Sequence, residues 1–252
     1  QAIPHLAEPH YRLGRMYRAV MRFDEALVQQ DHALRKEPHH AAAHYERGVL
    51  RLRRYRTRLD ELKKDMWRLK VEGVRNGESP TSDALPIPKD FESGDEETQR
   101  WRMEALEDLG VCVGKKTPAG LLEMLQGDKK KAQDLLEQAV QEGEETEEAW
   151  EYLGLLARER NNEEAFKWYQ EGFERDKGYI PYLEGMAWTS YAQAASDLLQ
   201  SKPSAEKFSQ TIELYRKLTD LDSGHAPRWE NLANVHAGMA QARFLLGQDP
   251  KG

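Results

Sequence analysis

Residues 7–40 read AEPHYRLGRMYRAVMRFDEALVQQDHALRKEPHH, and the same spacing of small and bulky residues returns further along the chain. Self-similarity with a period of roughly 20–50 residues constrains a fold strongly, because each unit is one supersecondary element that cannot bury its apolar face alone. Stacked neighbours close the core, so the expected architecture is an array of helix pairs. Within the unit, Gly14 and Ala26 are small enough to let two helices approach closely. Tyr17 fills the space between layers, and Pro38 ends the second helix and turns the chain.

The composition suits such an array. Charged residues make up 32% and hydrophobic residues 39%, with a mean hydropathy of −0.85. That is polar for a globule and ordinary for a chain whose repeats touch only their neighbours. Ala, Leu, Glu, Gln, Lys and Arg dominate over Val, Ile and Thr, which favours helix throughout. No stretch approaches the ~20 apolar residues of a membrane span. The single cysteine, Cys112, excludes an internal disulfide and reads as a small buried hydrophobe within Leu109-Gly110-Val111-Cys112-Val113. The chain begins at Gln1 rather than Met, which reads as a fragment or a processed product, and the expected compartment is the cytoplasm.

The unit resembles the tetratricopeptide (TPR) repeat. Leu13-Gly14, Tyr17, Ala26, Ala33 and Pro38 stand where that pattern asks for Leu-Gly, an aromatic, two alanines and a proline; Gln30 stands where it asks for a bulky residue. The resemblance implies an all-α, right-handed solenoid of helix-turn-helix repeats with one irregular insert. A second unit opens at Ala41 with His44, Gly48 and Leu52. Its second helix departs from the pattern, although Leu59, Leu62, Met66, Trp67 and Leu69 mark a helical face to about Val71.

Residues 73–97 break the period with Gly, Ser, Pro, Asp and Glu, and read as a loop or disordered insert. Residues 76–95 are expected to be mobile and protease-sensitive. In the alternative, Leu85-Pro86-Ile87-Pro88 lies in the protein's own groove as an internal ligand. Residues 98–112 resume as a helix, either an extra helix or a displaced first helix. Helices at 118–126 and 129–142, the latter with Ala132, Leu136 and Ala139, form a unit opened by Thr117-Pro118. The pattern is clear again in Trp150, Leu153-Gly154, Ala157, Ala165, Tyr169 and Gly172. It continues in Tyr182, Gly185 and Trp188, on a helix reaching about Leu199, and in Thr211, Tyr215 and Leu218. A last helix from Pro227, with Trp229, Leu232, Ala233 and His236, serves as the cap such arrays require. The expected domains are basic repeats over 1–72, the insert over 73–97, and acidic repeats with a capping helix over 98–252.

Three stretches glance at chemistry. Gly110–Thr117 approaches a phosphate-binding loop, but it is one residue short, holds Lys116 where Ser or Thr belongs, and follows no strand. His40 and His44 have metal-ligand spacing, with His39 adjacent, yet His39 and His40 fall in a turn and His44 at a packing position, and a site would still need another ligand in reach. The acidic run Glu142–Glu148 lacks the alternation of a calcium loop and reads as a solvated helix start. No nucleophile–base set stands out. The expectation is a protein with no cofactor, no metal and no catalytic activity.

In the TPR family the ligand side is lined by first helices. Carried over, the resemblance implies a peptide- or protein-binding surface of Tyr11, Arg12, Arg15 and Arg18, then Tyr45, Leu52 and Arg53, then Tyr152 and Arg158, then Tyr182 and Met186, and finally Asn234. Tyrosine offers contact area and a hydrogen bond at little entropic cost. Residues 1–76 carry 17 Lys+Arg against 10 Asp+Glu, and residues 77–252 carry 20 against 34. A basic N-terminal field suits an acidic or phosphorylated segment. The carboxylate clamp by which some members hold a chaperone's C-terminus is absent, because Tyr11, Arg15 and Glu46 occupy its positions. The expected role is a scaffold, adaptor or assembly factor for a protein or peptide, not for nucleic acid. The alternatives are a structural subunit of a larger complex and an accessory domain of a longer enzyme.

Overall fold

Small residues at helix-pair spacing produce the helices they promise. The computed structural model describes residues 6–75, 95–112, 114–144, 147–221, 223–224 and 226–249, with the helical path but not the side chains of 63–75. The helices are α1 (Ala7–Ala19), α2 (Phe23–Lys36), α3 (Ala41–Arg75), α4 (Glu96–Gly110), α5 (Lys116–Gln126), α6 (Lys129–Gln141), α7 (Glu147–Arg158), α8 (Asn162–Arg175), α9 (Ile180–Leu199), α10 (Ala205–Leu221) and α11 (Ala226–Leu245). No strand occurs among the described residues. Two compact units form, one from Gln1–Arg18 and Arg22–Asp128, the other from Lys129–Gly252 with Ala19–Met21.

In the first unit, Gly14 of α1 faces Gln30 of α2, with no room for a Cβ between them. Gln30 Nε2 donates to the Tyr11 carbonyl at 3.2 Å, so a polar side chain does the space-filling an aromatic would do. The second hairpin corrects the sequence reading. Residues 41–75 form one 35-residue helix rather than a helix-turn-helix. No Gly, Pro or Asn interrupts 50–62, so nothing stops α3 there.

The vacant second-helix place is taken by α4, which packs along α3. A Cβ on Gly48 would fall 2.8 Å from Leu109 Cγ, and Ala105 is fully buried one turn earlier. Ala105, Leu109 and Cys112 thus repeat the spacing of a second helix, so α4 is neither an extra helix nor a displaced first helix. The Asp95 carboxylate caps α4, accepting from the Thr98 backbone N–H at 2.8 Å. Because α4 belongs with α3, the units divide after Asp128 rather than within 73–97. Residues 76–94, with Leu85-Pro86-Ile87-Pro88 and the expected mobile segment, lie outside the described residues. Thr117 lies inside the first turn of α5, fully buried, not at its cap. Gly127 ends α5 in the left-handed conformation at φ 94°.

In the second unit, aromatic rings fill notches opened by glycines. Tyr169 of α8 lies between Gly154 of α7 and Gly185 of α9, and a Cβ on either glycine would come within 2.6 Å of the ring. Tyr182 fills the notch at Gly172, and Phe208 the notch at Gly238. Asn161 caps α8, its Oδ1 accepting from the Glu163 N–H at 2.9 Å. Leu183, Ala187, Phe208, Ile212, Tyr215 and Val235 form the core beneath α9, α10 and α11.

Candidate functional site

The residues expected to line a ligand face divide between surface and interior. Arg12 is 74% exposed in its side chain and pairs with Glu8 at 2.6 Å. Arg15 is partly exposed and reaches Glu46 at 3.3 Å. Arg18 is only 2% exposed, with Nε 2.7 Å from Glu46 Oε2. The arginine stripe therefore splits, and its third member holds the fold. Tyr11 is half-buried against Ala7, Ala33, Leu34 and Ala43, with its ring 5.1 Å from that of His40. Burial, reinforced by the Glu46 charge, pushes its phenol up. Tyr45 is half-buried, Leu52 is in the core, and the Arg53 guanidinium lies 4.6 Å above the Phe23 ring.

The second unit shows the same division. Tyr152, Tyr182 and Met186 are buried. The Tyr182 hydroxyl donates to the Glu147 carbonyl at 2.8 Å, and burial pushes its phenol up. Arg158 lies 3.9 Å over the Trp188 ring, and Asn234 is exposed. Of the acidic run before α7, Glu142 is exposed as expected, but Glu148 has no exposed surface, and Glu151 on the next turn is buried as well. Glu151 Oε2 accepts from the Tyr179 hydroxyl at 2.6 Å, so these acids are packed into the helix array instead of solvated.

The basic N-terminal block is largely neutralised in place. Arg47, Arg51, Arg54 and Arg58 fall along one face of α3. Arg47 meets Asp108 and Asp31, Arg51 meets Glu104 and Asp108, Arg54 meets Asp24, and Arg58 meets Asp95. Much of this acid comes from α4, which a division near residue 76 assigns to the other half. Counted by unit, residues 1–128 carry 22 Lys+Arg against 22 Asp+Glu, and residues 129–252 carry 15 against 22. His44 is held by Asp108 Oδ1 at 2.8 Å and by the Pro38 carbonyl at 2.9 Å. His40 Nδ1 accepts from the Ala43 N–H at 3.1 Å. Among the described residues no group of three or more His, Cys, Asp or Glu is placed to hold a metal. Gly110 ends helix α4, so a helix precedes the stretch that resembles a phosphate loop. Cys112 is half-buried, and burial together with the Asp108 charge pushes its thiol up.

An open concavity lies within the second unit. Helices α8, α9 and α10 enclose a groove of about 700 Å³. Ligand sites commonly fall in the range of roughly 300–1,000 Å³. One wall is α8, through Asn162, Glu163, Phe166, Lys167 and Gln170. The floor is α9, through Thr189, Ser190 and Gln193. The other wall is α10, through Lys207, Gln210, Glu213, Leu214 and Lys217. Two second helices thus flank a first helix. Most of these residues went unnoticed in the sequence, because second helices were read for packing alone. The available signal was the recurrence of Asn162, Phe166 and Gln170 every four residues on α8, away from the packing positions Ala165, Tyr169 and Gly172.

No family model matches this chain, and no curated protein matches it. Among solved structures it is similar to YrrB, described as a TPR protein with an unusual peptide-binding site, at 17% sequence identity and a TM-score of 0.36, over 91% of each chain. No residue role passes to this chain at that level of likeness. On their own geometry, the helix pairs α1–α2, α7–α8, α8–α9 and α10–α11, each closed by a glycine against a bulky partner side chain, are TPR-like, and the chain is an all-helical repeat protein.

Proposed function

We propose that this chain is a protein-interaction scaffold, an adaptor or assembly factor that binds a protein or peptide segment and performs no chemistry of its own. The carrying observation is the groove walled by α8, α9 and α10, which joins apolar surface at Phe166 and Leu214 to hydrogen-bonding side chains on all three helices. Arg12, Arg15, Tyr45 and Arg53 in the first unit, and separately Arg158 and Asn234 in the second, keep some exposure and remain candidates for further contacts. Arg18 and Leu52 in the first unit, and Tyr152, Tyr182 and Met186 in the second, are buried and act by holding their own unit in shape. The immobilised protein, presented with a random-peptide library, should enrich a convergent motif. Absence of enrichment over the bare support after repeated rounds would sink this reading.

The second reading, a fixed subunit of a larger complex, is favoured by α11. It exposes Trp229 and Phe244, the latter by 72%, with Ala233 and Ala237 between them. Native mass spectrometry of the protein from its source separates the two. Recovery as a lone chain supports an adaptor, and recovery only in a larger assembly supports a subunit. No described helix is long and apolar enough to cross a membrane.

A further inference from the structure

We infer that the α8–α10 groove takes an acidic segment of a partner protein in extended conformation, its main chain held by side-chain amides and its carboxylates by Lys167 and Lys217. This rests on the scaffold reading and names the ligand of that groove. It concerns a face built mainly from second helices, away from the first-helix surface that the TPR resemblance implies.

The first argument is hydrogen-bond chemistry. Asn162 and Gln170 on α8, Gln193 on α9 and Gln210 on α10 all line the groove. A carboxamide offers a carbonyl acceptor and an amino donor, the same pair that a peptide unit presents. An extended chain leaves its N–H and C=O groups free at every residue, whereas a helix has already paired them. Asn162 Oδ1 is shielded from solvent and has no hydrogen-bond partner among the described residues. Gln193 Nε2 donates to Asp197 at 2.9 Å, which orients its amide.

The second argument is charge. The second unit is acidic by composition, yet its groove gathers Lys167, Lys207 and Lys217. Lys207 is engaged by Asp197, and Glu213 by Arg216 at 3.1 Å. Lys167 and Lys217 have no ion-pair partner among the described residues, and they stand on opposite walls with Glu163 as the remaining lining acid. The unit's overall charge opposes an acidic ligand at long range. Screening over about 8 Å at physiological salt leaves the nearby ammonium groups to decide. Phe166 and Leu214 then offer a place for one apolar side chain, so the expected motif is acidic–apolar–acidic. Phe166 is the only ring among the lining residues, which gives a single-stranded nucleic acid little to stack on.

The test is the random-peptide selection carried out on wild type and on Lys167→Glu/Lys217→Glu. Both lysines are exposed, so the variant should fold, as circular dichroism will check. Wild type is expected to enrich acidic sequences. A fluorescein-labelled peptide so selected should bind roughly tenfold more weakly to the lysine variant. Gln170→Ala/Gln210→Ala should weaken both that peptide and its Glu→Gln analogue. Enrichment of non-acidic motifs shared by wild type and the lysine variant would overturn this inference while leaving the scaffold reading intact. Acidic peptides that bind the lysine variant normally but lose affinity for Arg12→Glu/Arg15→Glu would overturn it in favour of the α1 arginines. A labelled thymidine oligonucleotide that binds more tightly than any selected peptide and fails with the lysine variant would overturn it in favour of nucleic acid. Enrichment of nothing would defeat the scaffold reading itself.

Discussion

Arg47 of α3 grips Asp108 of α4 through two parallel hydrogen bonds, Nη2 to Oδ1 at 2.8 Å and Nε to Oδ2 at 2.9 Å. The two residues are 61 positions apart, and the pairing spans the insert. Asp108 is 1% exposed and also receives His44 and Arg51. Burial alone would raise its carboxyl. The hydrogen bonds from Arg47 and His44, with the charges of Arg51 and Arg47, outweigh burial and hold it below the usual aspartate value. This cluster orients α4 along α3, while Leu109 against Gly48 supplies the packing.

Asp108→Ala should therefore cost about 3 kcal/mol in urea unfolding, because it leaves guanidinium groups without their shared partner. The pH dependence has a definite sign. A carboxyl whose folded value lies below its unfolded value of 3.8 contributes stability that is present above 3.8 and lost as pH falls through the folded value. Acid unfolding of wild type should steepen below 3.8, and Asp108→Asn should show a shallower decline over that window. An identical acid profile in the variant would remove Asp108 from this role.

Tyr169 between Gly154 and Gly185 gives a prediction about coupling. Gly154→Ala and Gly185→Ala should each cost about 1–3 kcal/mol, since a methyl would sit within the ring's own volume. Tyr169→Ala should cost about 3–5 kcal/mol by opening a cavity. The informative measurement is the double-mutant cycle, in which Gly154→Ala placed on Tyr169→Ala should cost much less than alone. Additive effects would show that the ring does not fill the notch.

Members of the α1 arginine stripe should behave differently. Arg18→Ala breaks a buried pair with Glu46 and should cost about 3–5 kcal/mol in thermal or urea unfolding. Arg12→Ala, on an exposed pair, should leave the melting temperature unchanged. Equal behaviour of the two would contradict the burial of Arg18. Any binding experiment on this stripe belongs on Arg12 and Arg15, because changing Arg18 perturbs the fold.

The helices were legible where their causes are local. Leu153-Gly154, Ala165, Tyr169 and Gly172 mark a helix pair because close approach demands a small residue opposite a bulky one. Gly127 announces the end of α5, because a left-handed position suits a residue without Cβ. The reach of α9 to Leu199 and the start of α11 beside Pro227 were equally visible. The candidate site was not. First-helix residues at the expected spacing include buried Leu52, Tyr152, Tyr182 and Met186, because neighbouring helices cover that face. Periodicity marks which residues share a face and is silent on whether another helix lies over it.

Sequence alone determined that this chain is helical, that its helices pair through glycine and alanine notches, and that it holds no internal disulfide. Those properties depend on spacings within one helix pair and on residue counts. Tertiary structure alone decided that α4 completes the hairpin opened by α3, that Arg47 and Arg51 are spent on Asp31, Glu104 and Asp108, and that an open groove lies between α8 and α10. Each of these depends on contacts between residues far apart in the chain, where burial and charge pairing are set by the neighbour that arrives and not by the local pattern.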